Sequence, residues 1–171
     1  MSLPTFEEVS SKIRHEEGVL YWKVNRGKAT AGTVAGTRNS KGYRRVRIGG
    51  AMFYVHRVIW LLTNKEWPTS IIDHVNGDKA DNRPDNLRLC TYSQNNANRR
   101  VNKVRKYGVT SKGVFLDHQR GKFIAAIKFC GKVKFLGRFA SETEAATAYN
   151  VAAIQYFGDF ALTNRDVFQN V

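Results

Sequence analysis

Residues 69–99 read TSIIDHVNGDKADNRPDNLRLCTYSQNNANR, and the rest of the chain is best read outward from them. Ile71 and Ile72 form a short β-type run that ends in Asp73 and His74. A polar loop follows, with an Asn76-Gly77 turn signal and the aspartates Asp78 and Asp81. Leu87 to Thr91 alternates in character and predicts a second strand. Thr91 and Gln94 have capping-box spacing, so a polar helix carrying Asn95 and Asn98 is expected to open there. Strand, loop, strand and helix make a ββα unit, in which the end of the first strand and the first helical turn can face each other. That arrangement would bring Asp73 and Asn95 together with His74 beside them. A carboxylate, an amide oxygen and an imidazole suit a hard metal ion with an adjacent base.

With its flanks, this stretch resembles the HNH endonuclease family, in the zinc-free phage and intron-homing branch. The resemblance rests on His56-Arg57, Asp73-His74, Asn76-Gly77-Asp78, Asp81-Asn82-Arg83, Asn86-Leu87-Arg88 and Gln94-Asn95, which occur in the family's order and spacing. It implies a ββα-metal nuclease core over about 69–99 that hydrolyses a phosphodiester bond in duplex DNA. In that reading His74 is the general base, because an imidazole with its ordinary pKa near ~6.5 accepts a proton at neutral pH. Asp73 and Asn95 hold one divalent ion, Mg2+ or Mn2+; magnesium keeps several waters and takes few protein ligands. Asn86 holds the base in position and braces the loop, and His56 braces the site by hydrogen bonding. Asn82 and Asn98 read as a loop and a helix-surface residue.

Charge supports a polyanionic partner. The chain has 171 residues, 28 Lys and Arg against 14 Asp and Glu, and a formal charge of +14, enough to concentrate phosphate backbones at its surface. Residues 18–65 and 98–139 are the basic segments; the second holds one acid, Asp117, and the first none. The two cysteines, Cys90 and Cys130, form no C-x-x-C pair, so no zinc site is expected and both are expected to be reduced in a cytoplasmic protein, the host bacterial cytoplasm if phage-encoded. No signal peptide is legible and no apolar run approaches the ~20 residues of a membrane span.

Upstream, Thr5 and Glu8 predict a capping box opening an amphipathic helix with Phe6, Val9 and Ile13 on one face and Gly18 as its stop. Val19–Val24 is a strand candidate. Tyr43–Ile48 and Met52–Val55 flank Gly49-Gly50 as a hairpin, with Arg44, Arg45 and Arg47 as a basic sheet face toward DNA. A helix is expected from His56 to about Lys65. Downstream, residues 98–106 carry Arg99, Arg100, Lys103, Arg105 and Lys106, more charge than a plain linker needs, and phosphate contact is expected.

From residue 107 a second unit is legible. Short strands at Gly113–Phe115, Lys122–Phe129 and Lys132–Phe139 predict a three-stranded antiparallel sheet. Ser141 and Glu144 cap a helix whose Ala145, Ala148, Tyr149, Ala152, Ala153 and Tyr156 share one face. Small alanines let that helix lie close over the sheet. These residues resemble the plant Apetala/ethylene-response-factor DNA-binding domain, through Gly113-Val114, Gly121-Lys122-Phe123, Ala126-Ile127, Leu136-Gly137, Phe139, Glu144-Ala145-Ala146, Ala148-Tyr149, Ala153, Gly158 and Asn164. The resemblance implies DNA binding by the sheet face away from the helix, with Lys122 and Lys128 on it and Lys112, Arg120 and Lys132 near its edges. Phe115, Ala126 and Phe135 replace the plant pattern's arginine, glutamate and tryptophan, so plant-type base readout does not carry over.

The expected architecture is therefore α+β. A nuclease domain with a small basic sheet occupies 1–100, a basic linker 101–106, the Apetala-type domain 107–164 and a tail 165–171. The function expected is metal-dependent DNA endonuclease, acting as a monomer on one strand or as a dimer on both. A catalytically silent DNA-binding regulator is the other reading, and the intact Asp73, His74, Asn86 and Asn95 set favours the enzyme.

Overall fold

Thr5 and Glu8 form the reciprocal capping box their spacing predicts, and α1 (Phe6–Ser10) begins there. It stops after five residues instead of running to Gly18. Ile13 begins β1 (Ile13–Glu16), which pairs antiparallel with β2 (Val19–Trp22). The cause is the Glu17-Gly18 pair: both residues have positive φ, 45° and 76°, so Gly18 makes a two-residue hairpin turn, not a helix stop. The computed structural model describes residues 3–100 and 109–164. The linker expected at 101–106, with Lys103, and the tail at 165–171 lie outside the described residues. The chain divides into two units, residues 1–90 and 91–171.

In the first unit, β3 (Thr37–Arg38), β4 (Arg44–Ile48) and β5 (Ala51–Tyr54) form an antiparallel sheet in that order, with the Gly49-Gly50 turn in place. Alternation buries Val46 and Ile48 and exposes Arg45 and Arg47. Arg44 has the parity of Val46, so it does not share the face of Arg45 and Arg47, which corrects the expected row of three. Its guanidinium instead donates to the Gly36 carbonyl at 3.3 Å. α2 (Val55–Asn64) follows β5 directly and ends at Lys65 in the left-handed region. Its Val55, Val58, Ile59 and Leu61 join Val9, Ile13, Leu20, Trp22, Val46 and Ile48 in one core. Burying each such side chain contributes about 1.5–3 kcal/mol before entropy is counted. β6 (Ile71–His74) and β7 (Leu87–Cys90) pair antiparallel, and Ile72 and Leu87 anchor them to that core.

The second unit opens with α3 (Tyr92–Ala97), whose Thr91 and Gln94 cap each other reciprocally. β8 (Val114–Asp117), β9 (Lys122–Phe129) and β10 (Lys132–Phe139) form an antiparallel sheet with β9 central. α4 (Glu142–Phe157) crosses it, burying Tyr149, Ala152 and Ala153 with Ile127, and Ala145 and Ala146 with Ala125 and Val114. Gly113 permits this fit: its φ is 74°, and a Cβ there would lie 1.8 Å from the Tyr149 ring. Glu142 ties the start of the unit to α4, accepting hydrogen bonds from the backbone and hydroxyls of Thr110 and Ser111. Burial pushes the Glu142 carboxyl up, and those bonds outweigh it, leaving the pKa below the usual carboxylate range. Buried Asn164 closes the unit through Lys112 and Asn150. Among the described residues, no helix is long and apolar enough to cross a membrane.

Candidate active site and nucleic-acid interface

The β6–β7 register sets the first site. Asp73 stands directly opposite Arg88, and His74 opposite Leu87. Cross-strand neighbours interact, and Arg88 donates to Asp73 Oδ2 from both Nε (3.0 Å) and Nη2 (2.9 Å). Asp73 is buried, so this charge-assisted pair offsets the cost of placing a carboxylate there.

His74, also buried, is held among rings. The His56 ring meets it edge-on with centroids 5.2 Å apart, and Tyr43 lies 6.2 Å away. His56 stacks on Tyr54 at 5.3 Å. Burial, then the neighbouring His74 and Arg57, lowers the His56 pKa to about 3, so it remains neutral at ordinary pH. His56 therefore packs against His74 as a neutral ring.

The loop between β6 and β7 is closed by asparagines. Asn86 Nδ2 donates to the Asp81 carbonyl (2.7 Å) and to Asn76 Oδ1 (3.1 Å), while its Oδ1 accepts from Asn76 N at 3.0 Å. Asn86 thus braces the loop, one half of its expected role. The other half, holding the base, falls to Asn82 in this geometry: its Oδ1 lies 3.1 Å from His74 Nε2. The sequence reading missed this because the contact spans eight positions across an irregular loop. Asn98, expected on the helix surface, is buried as the C-cap of α3.

Asp73 belongs to the first unit and Asn95 to the second. The donor chemistry, a carboxylate and an amide oxygen, is of the kind that suits a hard divalent ion. Among the described residues, no group of three or more His, Cys, Asp or Glu is arranged to hold a metal.

In the second unit, register defines the face of the sheet away from α4. Ala125 and Ile127 point to the helix, so Lys122, Ile124, Ala126 and Lys128 point away. Their partners on that face are Asp117 and Phe115 on β8, and Arg138, Phe135 and Val133 on β10. Phe115 and Phe135 are 48% and 59% exposed, so the face interleaves cations with uncovered rings. Arg138 lies over the Phe135 ring at 5.4 Å and bonds Asp117 at 3.2 Å; Arg120 reaches the same carboxylate at 3.5 Å. Arg138 was not among the expected DNA contacts, although strand parity alone puts it there.

Lys132 and Lys112 were expected near the edges of this face. Lys132 pairs with Phe129 and therefore has helix-side parity. Lys112 is half-buried, and its ammonium donates to the Ala97 carbonyl. Burial, then Arg99, lowers its pKa to about 8. Arg99 and Arg100 are exposed beyond α3.

Comparison with known proteins agrees with both halves. Residues 53–97 match the HNH endonuclease family model, a range containing His56, Asp73, His74, Asn82, Asn86 and Asn95. The chain is 30% identical over 113 residues to the uncharacterized HNH endonuclease L560 of Acanthamoeba polyphaga mimivirus, covering 65% of this chain and 57% of the relative. It is 43% identical over 58 residues to the AP2-like ethylene-responsive transcription factor At1g16060 of Arabidopsis thaliana, covering 33% of this chain and 17% of the relative. The AP2-like ethylene-responsive transcription factor ANT of the same plant is 45% identical over 58 residues, covering 33% and 10%. The chain thus spans just over half of the viral relative and less than a fifth of each plant protein. Residues 53–97 are thus similar to HNH endonucleases, and the C-terminal region is similar to AP2-like DNA-binding domains.

Proposed function

We propose that this chain is a metal-dependent endonuclease that hydrolyses a phosphodiester bond in duplex DNA and uses its C-terminal sheet to bind that DNA. The observation that carries the reading is the buried His74, held by Asn82 and walled by His56, one residue from an Asp73 fixed by Arg88, all within the family-matching segment. His74 takes the proton from the attacking water. Asp73 and Asn95 hold the divalent ion, Mg2+ or Mn2+. When bound, that ion supplies stabilisation of charge on the phosphate and the leaving oxygen. Asn86 keeps the loop in shape, and Arg45, Arg47, Arg99, Arg100, Lys122, Lys128 and Arg138 supply phosphate contacts.

Plasmid nicking with magnesium, with excess chelator, and in His74→Ala tests the reading. Wild type should nick only with the metal. His74→Ala should lose at least about a hundredfold in rate while binding DNA within a few-fold of wild type, since general-base catalysis contributes about 10²–10⁴. Wild type that binds duplex DNA and never nicks it would favour a silent DNA-binding regulator.

A further inference from the structure

The β3–β4 turn and the β6–β7 loop bring cations together beside the candidate active site. Asn39 shapes the turn: its Oδ1 accepts from Lys41 N and Tyr43 N, each at 3.0 Å. The Asn39 N–H donates to the Tyr43 carbonyl at 2.8 Å, and the Gly42 N–H donates back to the Asn39 carbonyl at 3.0 Å. Gly42 has a φ of 89°. A Cβ there would meet Lys79 Cδ at 3.8 Å and Arg38 Nη2 at 3.9 Å, so both side chains converge on one point of the turn. Lys79 is held at its far end as well. Its ammonium donates to the Lys41 carbonyl at 3.3 Å and lies 5.0 Å from the centre of the Tyr43 ring. That same ring is 6.2 Å from the ring of His74.

Arg38, Lys41 and Lys79 are exposed, and among the described residues none of them forms an ion pair. Arg38 also stands directly opposite Arg44 across the strands, and like charges so placed are destabilising by themselves. The acids flanking Lys79 are engaged within their own loop: Asp78 Oδ1 accepts from Ala80 N, and Asp81 pairs with Arg83. Cations gathered without a carboxylate, on a turn pinned by hydrogen bonds, suit an anion supplied from outside. A phosphodiester oxygen accepts from a guanidinium and from an ammonium alike. In a nuclease, the phosphate beside such a turn is that of the substrate backbone.

We infer that Arg38 and Lys79 form a phosphate clamp that grips the cut DNA strand at a phosphate neighbouring the one being hydrolysed. This rests on the nuclease reading above. Both are positioning residues: they hold the strand beside His74 and do not touch the reacting atoms. Such alignment matters because a small displacement of the phosphorus from its attacking water slows the reaction.

Duplex binding by the metal-free, full-length protein, measured against salt, tests the charge. Lys79→Met keeps the stem over Tyr43 and removes only the ammonium. It and Arg38→Gln should each weaken binding several-fold and lower the slope of log affinity against log salt by about 0.9. Lys79→Arg should keep the wild-type slope, and so should Lys12→Gln, which removes one exposed charge just beyond α1. Neutral methylphosphonates, placed one at a time along the strand whose nick has been mapped, then locate the contact. Wild type should lose affinity several-fold at a phosphate neighbouring the nick, and Lys79→Met should be indifferent to that substitution. An unchanged salt slope in Lys79→Met overturns the clamp, as does sensitivity lost only at phosphates remote from the nick. Even if no variant folds, wild type that nicks yet keeps full affinity with every methylphosphonate near the nick overturns it. Wild type that binds duplex DNA and never nicks it fails the nuclease reading instead, so the two failures are distinguishable.

Discussion

Two histidines with ring centroids 5.2 Å apart have different chemistry because one amide is present and one charge is not. His74 is oriented by Asn82, whereas His56 is enclosed by Tyr43, Tyr54 and His74 and is held neutral, its pKa near 3. The depression has a measurable consequence for stability. Between about pH 6.5 and 3 the unfolded chain binds a proton at His56 that the folded chain does not, so stability rises with pH across that window. The contribution is complete above the unfolded pKa and lost progressively below it, by on the order of a few kcal/mol at pH 4. His56→Phe keeps a ring against Tyr54 and removes the titration. Its urea midpoint should fall less than that of wild type between about pH 7.5 and 4. Some slope should remain, because burial also lowers the His15 pKa. An identical acid loss in both proteins would mean that His56 is protonated in the fold. The motif histidines and Asp73 were legible in the sequence because their types and order are the signal. Asn82 was not, since its partner is set by how an irregular loop closes, and no periodicity encodes that.

Elements with paired local signals were read correctly, and the one with conflicting signals was not. The capping boxes at Thr5 and Thr91, and the Gly49-Gly50 hairpin, need only neighbours a few residues apart, and all three are present. α1 was drawn too long because Val9 and Ile13 satisfy helical spacing, while the same Ile13 also satisfies strand alternation opposite Trp22. The Glu17-Gly18 turn decides between them. α3 shows a different limit. Its sequence is almost wholly polar, yet Ala97 is buried with Ile127, Tyr149, Ala152, Ala153 and Phe157, and Lys112 caps its carbonyl. A single alanine carries no periodic signal, so the packing of this helix into the second unit could not be read in advance. It does make a prediction. Ala97→Asp places an unpaired carboxylate among those side chains and should destabilise the second unit by about 2–4 kcal/mol. Since α3 also carries Asn95, the variant should need more magnesium for half-maximal nicking. Thermal unfolding and a magnesium titration measure the two effects; wild-type values in both would show that Ala97 is not anchored as described.

Over the whole molecule, a charge of +14 attracts DNA whatever face is presented, so charge alone does not identify the reading surface. The sheet supplies a control for that ambiguity. Lys122 and Lys128 are on the face away from α4, whereas Lys132 and Lys134 pair with Phe129 and Ile127 and have helix-side parity. Lys134 is also engaged by Tyr156, with its ammonium 3.1 Å from the hydroxyl and 4.5 Å from the ring centre. Replacing either pair with alanine removes the same formal charge. Binding that depends on phosphate contact releases counterions, and each contact adds about 0.9 to the slope of log affinity against log salt. Lys122→Ala with Lys128→Ala should therefore weaken duplex binding and lower that slope by nearly 2. Lys132→Ala with Lys134→Ala should change it much less. Single-turnover cleavage at saturating enzyme should be the same in both, because neither pair touches His74, Asp73 or their partners. Phe115 and Phe135 lie between the cations on the outer face, so a Phe135→Ala variant should lose affinity without losing salt slope, separating ring contact from charge. Equal slope changes in the two lysine pairs would mean that DNA responds to net charge and that the outer face has no special place in binding.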